Sequence, residues 1–154
     1  MRVCVWAHTL FVWAGYVTFQ VPPLLPSSPF SFISSRLPGG LSLNEHDTIE
    51  IDFRSSHPRS FILNLHVDSY IPHEVYQGYI VDVPASDSWA TAEIPFASLL
   101  LTSHGQVKET QRVLDNPCIV KWGITCADGQ DGRFGIDIRE VRAVCTDEDY
   151  ESEE

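Results

Sequence analysis

A chain of 154 residues has room for one domain with a hydrophobic core and not for two. Apolar residues make up 44% and charged residues 20%, ordinary globular usage that excludes wholesale disorder. A formal charge of -11 argues against nucleic acid as partner, because neutralising phosphates needs clustered Lys and Arg.

From Val3 to Phe19 the chain is almost wholly apolar, with Arg2 before this run and His8 inside it. Residues 1–20 read as a signal segment, a short anchor, or a truncated first strand in which Tyr16–Val21 opens the fold. A mitochondrial presequence would be richer in Arg and Ser, and the alternatives stay open. Next come Pro22, Pro23, Pro26, Pro29, Pro38, Gly39 and Gly40, which bar any long helix and leave Phe30–Ser34 as a short strand.

Alternation then becomes strong. Ile49, Ile51 and Phe53 face one way and Glu50, Asp52 and Arg54 the other, the period of a half-buried strand. After a turn at Ser55–Pro58, Phe61, Leu63, Leu65 and Val67 alternate with Ile62, Asn64, His66 and Asp68. Two such strands around a short polar turn predict a hairpin. Further strands are expected at Val75–Val83, with Val75, Tyr79, Val81 and Val83 on one face, and at Trp89–Phe96. A helical turn is expected within Pro95–Leu101, then strands at Ile119–Cys126 and Arg133–Val144. The loop Asp128-Gly-Gln-Asp-Gly132 between the last two suits a tight turn. Many short strands without strand–helix alternation predict an all-β sandwich or barrel over 21–145. Asp147, Glu148, Asp149, Glu151, Glu153 and Glu154 make residues 146–154 an acidic, solvated tail.

Little in the chain has the spacing of reactive chemistry. No Ser or Cys sits in a nucleophile frame such as G-x-S-x-G. The histidines at 46, 57, 66, 73 and 104 lack helical metal-site spacing and zinc-module spacing. A calcium reading of Asp128–Asp131 lacks the full ligand series, and a plain turn is favoured. Cys4, Cys118, Cys126 and Cys145 form no CxxC pair and are expected to be free thiols. Asn44, Asn64 and Asn116 all fail the glycosylation sequon, which disfavours a secreted glycoprotein.

What remains is a surface. On the predicted hairpin Glu50, Asp52, Asn64, His66 and Asp68 point off the apolar face as one patch. Any sheet with one wet face shows the same pattern, but the patch is the best expectation for docking. Tyr70, Tyr76 and Gln77 extend it, and the tyrosines at 70, 76 and 79 are either anchors for a protein partner or half-buried packing. Trp89 and Trp122 are expected in the core.

At this point Phe61-Ile-Leu-Asn-Leu-His-Val-Asp-Ser69 resembles the strand ending in a Thr/Asp-Ser element of the complex I intermediate-associated protein 30 family. That family's Tyr-Gln strand is matched by Val75-Tyr-Gln77, and its Trp-x-Thr-x-x-Ile-Pro-Phe segment by Trp89-Ala-Thr-Ala-Glu-Ile-Pro-Phe96. Thr102-Ser-His-Gly-Gln-Val107, Gly123-Ile-Thr-Cys-Ala-Asp128 and Asp131-Gly-Arg-Phe-Gly-Ile-Asp-Ile138 follow in the family's order. The likeness covers about residues 30–145. It departs at a short, Pro-rich start and at Arg54-Ser-Ser-His-Pro58, where the family carries an Arg-Gly-Asp-Gly-like turn.

The resemblance implies a galactose-binding-domain-like jelly-roll β-sandwich. It implies a mitochondrial, matrix-side assembly factor of respiratory complex I (NADH:ubiquinone oxidoreductase), peripherally associated with the inner membrane. Its partners would be assembly intermediates and other assembly factors. It brings no catalytic residue, cofactor or metal, so the expected protein is not an enzyme. Trp89, Pro95, Gly105 and Gly132 match motif positions as structural residues. The alternatives are a carbohydrate-binding-module-like domain, a protein-interaction module outside mitochondria, and a small enzyme built on His66 and Asp68.

Overall fold

The alternating segments become strands in a computed structural model that describes residues 3–7, 11–17, 31–115 and 117–146. In chain order they are β1 (Val3–Ala7), β2 (Phe11–Val17), β3 (Ser31–Ser42), β4 (Thr48–Ser55) and β5 (Arg59–Val67). Then come β6 (Glu74–Val83), β7 (Ala90–Pro95), β8 (Leu100–Ser103), β9 (Gln106–Val107), β10 (Cys118–Cys126) and β11 (Gly132–Val144). A 3-10 turn at Phe96–Ser98 falls within the expected helical stretch. The acidic segment 147–154 and the Pro-rich residues 22–30 lie outside the described residues.

Two sheets result. The first runs β1-β11-β4-β7, with β2 also on β11; the second runs β3-β10-β5-β6-β8-β9. Every recorded strand pairing is antiparallel. β2 lies opposite Gly132–Ile138 and β1 opposite Val141–Val144, so the two run along β11 one after the other. Strand pairing thus precedes residue 21, and no helix among the described residues is long and apolar enough to cross a membrane.

The core lies between the sheets. Ile49, Ile51, Ile136, Ile138 and Val141 of the first sheet are fully buried, as are Phe61, Leu63, Leu65, Ile119 and Ile124 of the second. Burying such side chains supplies about 1.5–3 kcal/mol each, the main drive for closing a sandwich.

Three expectations about the strands are corrected. β4 and β5 do not form a hairpin: β4 lies between β11 and β7, and β5 between β10 and β6. A strand with one apolar face is satisfied equally by a hairpin neighbour or by crossing to the opposite sheet. Here the turn is held against the first sheet, with Ser56 N donating to Gly135 O at 3.0 Å and Ser55 Oγ to His57 O at 2.7 Å. The chain then leaves Pro58 into the second sheet.

The expected common face of β6 is split: Val83 is buried with Tyr76, Gly78 and Ile80, while Tyr79 and Val81 are 47% and 66% exposed. Both faces of this strand carry apolar side chains, so alternation could not choose between them. Finally, β3 continues through Pro38-Gly39-Gly40 instead of stopping at Ser34. Within the described sheet it pairs only with β10, and an edge strand tolerates proline. Gly39 and Gly40 take φ values of 76° and 73° where the register shifts.

A buried ion pair clasps one end of the sandwich. Arg59 Nη2 donates to Asp128 Oδ1 at 2.7 Å and to Gln130 O at 2.7 Å, with both side chains about 5% exposed or less. Ser60 N and Gln130 N donate to the same carboxylate. The start of β5 is thereby tied to the β10–β11 loop.

Gly78 offers a direct test of the packing. A Cβ there would lie 2.7 Å from Ile94 Cγ2 and 2.9 Å from Leu99 Cδ2, so Gly78→Ala overpacks the core. The variant is expected to lose about 1–3 kcal/mol in denaturant unfolding, and an unchanged midpoint would contradict this inward phase.

Candidate functional site

Strand phasing that sends Leu63, Leu65, Trp122 and Ile124 inward sends the intervening side chains outward. Register then arranges them in rows across the second sheet. Ser34, Gly123, Asn64 and Gln77 stand opposite one another across β3, β10, β5 and β6. The next row is Arg36, Lys121 and His66, and on the other side lie Thr125, Ile62 and Tyr79. Except for Arg36, these residues line an open cleft of about 550 Å³.

The middle of the cleft is ordered by its own amides. Gln77 Nε2 donates to Asn64 Oδ1 at 2.8 Å, and Asn64 Nδ2 donates to Thr125 Oγ1 at 2.8 Å. A chain of hydrogen bonds across three strands holds these groups in fixed rotamers. His66 is half-buried, and burial, followed by the nearby Lys121 ammonium, pushes its imidazole pKa below the ordinary 6.5. The ring is therefore a neutral hydrogen-bonding group near pH 7.

The expected docking patch is divided by the fold. Asn64, His66 and Gln77 come together in this cleft. Glu50 and Asp52 lie on the outer face of the first sheet, because β4 and β5 belong to different sheets. There Arg142 pairs with Glu50, and Asp52 Oδ2 is met by Arg139 at 3.1 Å and Arg142 at 3.3 Å. Thr91 donates to Asp52 Oδ1 at 2.6 Å. Burial raises the Asp52 pKa, but Thr91, Arg139 and Arg142 outweigh it and hold the carboxyl below its usual range. Trp89, expected in the core, is half-buried on this outer face with the Arg54 and Arg139 guanidinium carbons 4.9 and 4.8 Å from its ring centre. Cation–π contact and the charged network suit it to that face better than to an apolar interior.

Asp68 and Tyr76 line a second recess, of about 420 Å³, beside Glu74 and Arg112. Tyr76 is nearly buried, whereas Tyr70 stands fully exposed in the loop before β6. Glu74 is ion-paired to Lys108 and Arg112, binding the segment after β9 to the start of β6. The hydrogen bond from Lys108 is the largest influence on Glu74 and, with Arg112, lowers its pKa against the opposing effect of burial.

Lys121 and Thr125, which the cleft brings beside His66 and Asn64, were not among the expected site residues; they are the outward positions of a strand read for its core. The alternation itself was their only signal. Asp128, on which a calcium site would depend, is engaged by Arg59. Among the described residues no three His, Cys, Asp or Glu side chains are grouped to hold a metal. Cys118, Cys126 and Cys145 are free thiols, and burial pushes that of Cys126 upward.

The sequence model of complex I intermediate-associated protein 30 (CIA30) matches residues 13–138, most of the chain. The chain belongs to the CIA30 family. A relative from Drosophila melanogaster, complex I intermediate-associated protein 30, mitochondrial, is 31% identical over 85 residues. That match takes in 52% of this chain and 28% of the relative, so the chain spans little more than a quarter of that CIA30 protein. Among solved structures, the family 11 carbohydrate-binding module of cellulase Lic26A-Cel5E from Clostridium thermocellum aligns with a TM-score of 0.56 and 18% identity. The alignment covers 97% of this chain and 91% of that module. A family 11 module from the same organism, in complex with a β-1,3-1,4-mixed-linked tetrasaccharide, gives 0.54 and 18% over 92% and 88%. At such identity these likenesses establish the jelly-roll β-sandwich and nothing more.

Two titrations check the electrostatics. Lys121→Gln removes the neighbouring cation and is expected to raise the His66 pKa, read from imidazole shifts in NMR; an unmoved value would leave burial as the whole cause. Glu74 has a folded pKa below its ordinary 4.5, so its ion pairs contribute stability above that pH. The contribution is lost as pH falls through the folded pKa. Wild type is therefore expected to lose more melting temperature than Glu74→Gln between pH 5 and roughly pH 3, and parallel curves would refute the assignment.

Proposed function

We propose that this chain is a non-catalytic binding domain of a complex I assembly factor, holding assembly intermediates of the mitochondrial NADH:ubiquinone oxidoreductase. Membership of the CIA30 family and the mitochondrial relative support that setting. We place its work on the matrix side of the inner membrane, alongside other assembly factors.

The observation that carries the binding role is the difference between the two outer faces. On the first sheet Glu50, Asp52 and Asp137 are each met by arginine, which leaves little unsatisfied polarity. On the second sheet a cleft of about 550 Å³ presents amide, hydroxyl and imidazole groups already held in place. Such a surface recognises a partner at low ordering cost. The same geometry favours binding over acid–base chemistry, since His66 faces Lys121 in the cleft and Asp68 belongs to the other recess.

Removing the protein is expected to lower assembled complex I and accumulate its partial assemblies on native electrophoresis of mitochondrial membranes. Tagged protein is expected to capture identified complex I subunits. Undisturbed complex I, together with capture of polysaccharide in place of those subunits, would overturn the proposal and favour a carbohydrate-binding role.

A further inference from the structure

The cleft on the second sheet differs in charge from the rest of the molecule. The protein carries a formal charge of -11, yet no Asp or Glu lines this recess. Its fixed charge is the half-buried Lys121, set by register between Arg36 on β3 and His66 on β5. Among the described residues no side chain pairs with the Lys121 ammonium. Glu50, Asp52 and Asp137 of the first sheet are paired with arginines, and none of them reaches this cation.

We propose that the cleft seats an extended acidic segment of the partner protein, with an Asp or Glu carboxylate on Lys121. The inference rests on the binding role proposed above and names the chemistry that this site selects. A carboxylate gives the ammonium a charge-assisted hydrogen bond, and Arg36 beside it strengthens the local field. A neutral sugar would cover the ammonium without supplying a counter-charge.

The remaining groups suit a peptide backbone. Asn64 spends one amide hydrogen on Thr125 and accepts from Gln77, which leaves the Gln77 carbonyl facing the cleft without a recorded partner among the described residues. That acceptor can take a backbone N–H of a strand-like segment lying across the rows. Tyr79, Ile62 and Val75 border the same cleft and give an apolar neighbour of the acidic residue a place to pack.

The test uses the full chain and capped, fluorescent Ala-Glu, Ala-Gln and Ala-Lys repeat peptides, read by anisotropy and NMR shift mapping. The Ala-Glu peptide is expected to bind on the order of tenfold more tightly than Ala-Gln, with shifts at Lys121, His66 and Gln77. Lys121→Arg is expected to keep that preference, and Lys121→Glu to abolish or reverse it with an unchanged melting temperature. Equal binding of Ala-Glu and Ala-Gln, shifts on the first sheet, or an indifferent Lys121→Glu would overturn the inference. So would cleft shifts produced by a mixed-linkage β-glucan tetrasaccharide and by no peptide. Capture of complex I subunits from solubilised mitochondria separates the two levels. Wild type and Lys121→Glu capturing those subunits equally would sink the acidic-segment inference while the binding role stood. A wild-type chain that captures none would sink both.

Discussion

The register of β10 against β5 is the constraint on which both the core and the cleft depend. Because side chains alternate with a period of two, sliding one strand by a single residue would exchange its entire inner and outer sets. With Trp122 opposite Leu65 and Ile124 opposite Leu63, the apolar residues meet the first sheet. The same pairings set Lys121 opposite His66 and Gly123 opposite Asn64 on the other side. The cleft is therefore the reverse side of the core, and the burial that stabilises one holds the other in place. The Arg59–Asp128 pair reinforces this arrangement at the end of the sheet by linking the start of β5 to the loop after β10.

The two outer faces apply different electrostatics. On the first sheet, arginines from β11 reach across to the carboxylates of β4, and the guanidinium groups of Arg54 and Arg139 lie over the Trp89 ring. Those charges are neutralised locally, with Asp52 buried beneath Arg139 and Arg142. On the second sheet the polar groups are mainly amides and hydroxyls, held by neighbours in the same rows. An acidic protein thus has one region to which a negatively charged partner can approach without meeting a carboxylate. The chain belongs to the CIA30 family, and its match spans 28% of the Drosophila relative.

Much of the fold was legible as alternation. The Ile49–Phe53 and Phe61–Val67 patterns correspond to real strands, and the successive family-like motifs pointed to the sandwich. Alternation failed where both faces of a strand are apolar, as in β6, where only Val83 of the four residues expected on one face is buried. It also failed for β4 and β5, since a short turn between amphipathic strands is compatible with a hairpin or with a crossing between sheets. The candidate surface inherited that second error. Glu50 and Asp52 belong with Arg139 and Arg142, residues far away in sequence, and of the expected patch Asn64, His66 and Gln77 line the cleft.

By itself, the sequence determined most of the central strands, several of the turns between them and an all-β class with an apolar interior. These properties are local, and period-two patterning and turn chemistry express them within a few residues. Tertiary structure decided which strands became neighbours, which face of β6 entered the core and which charges found partners. Those choices depend on contacts between segments distant along the chain, and no local pattern encodes the free energy of one long-range pairing relative to another.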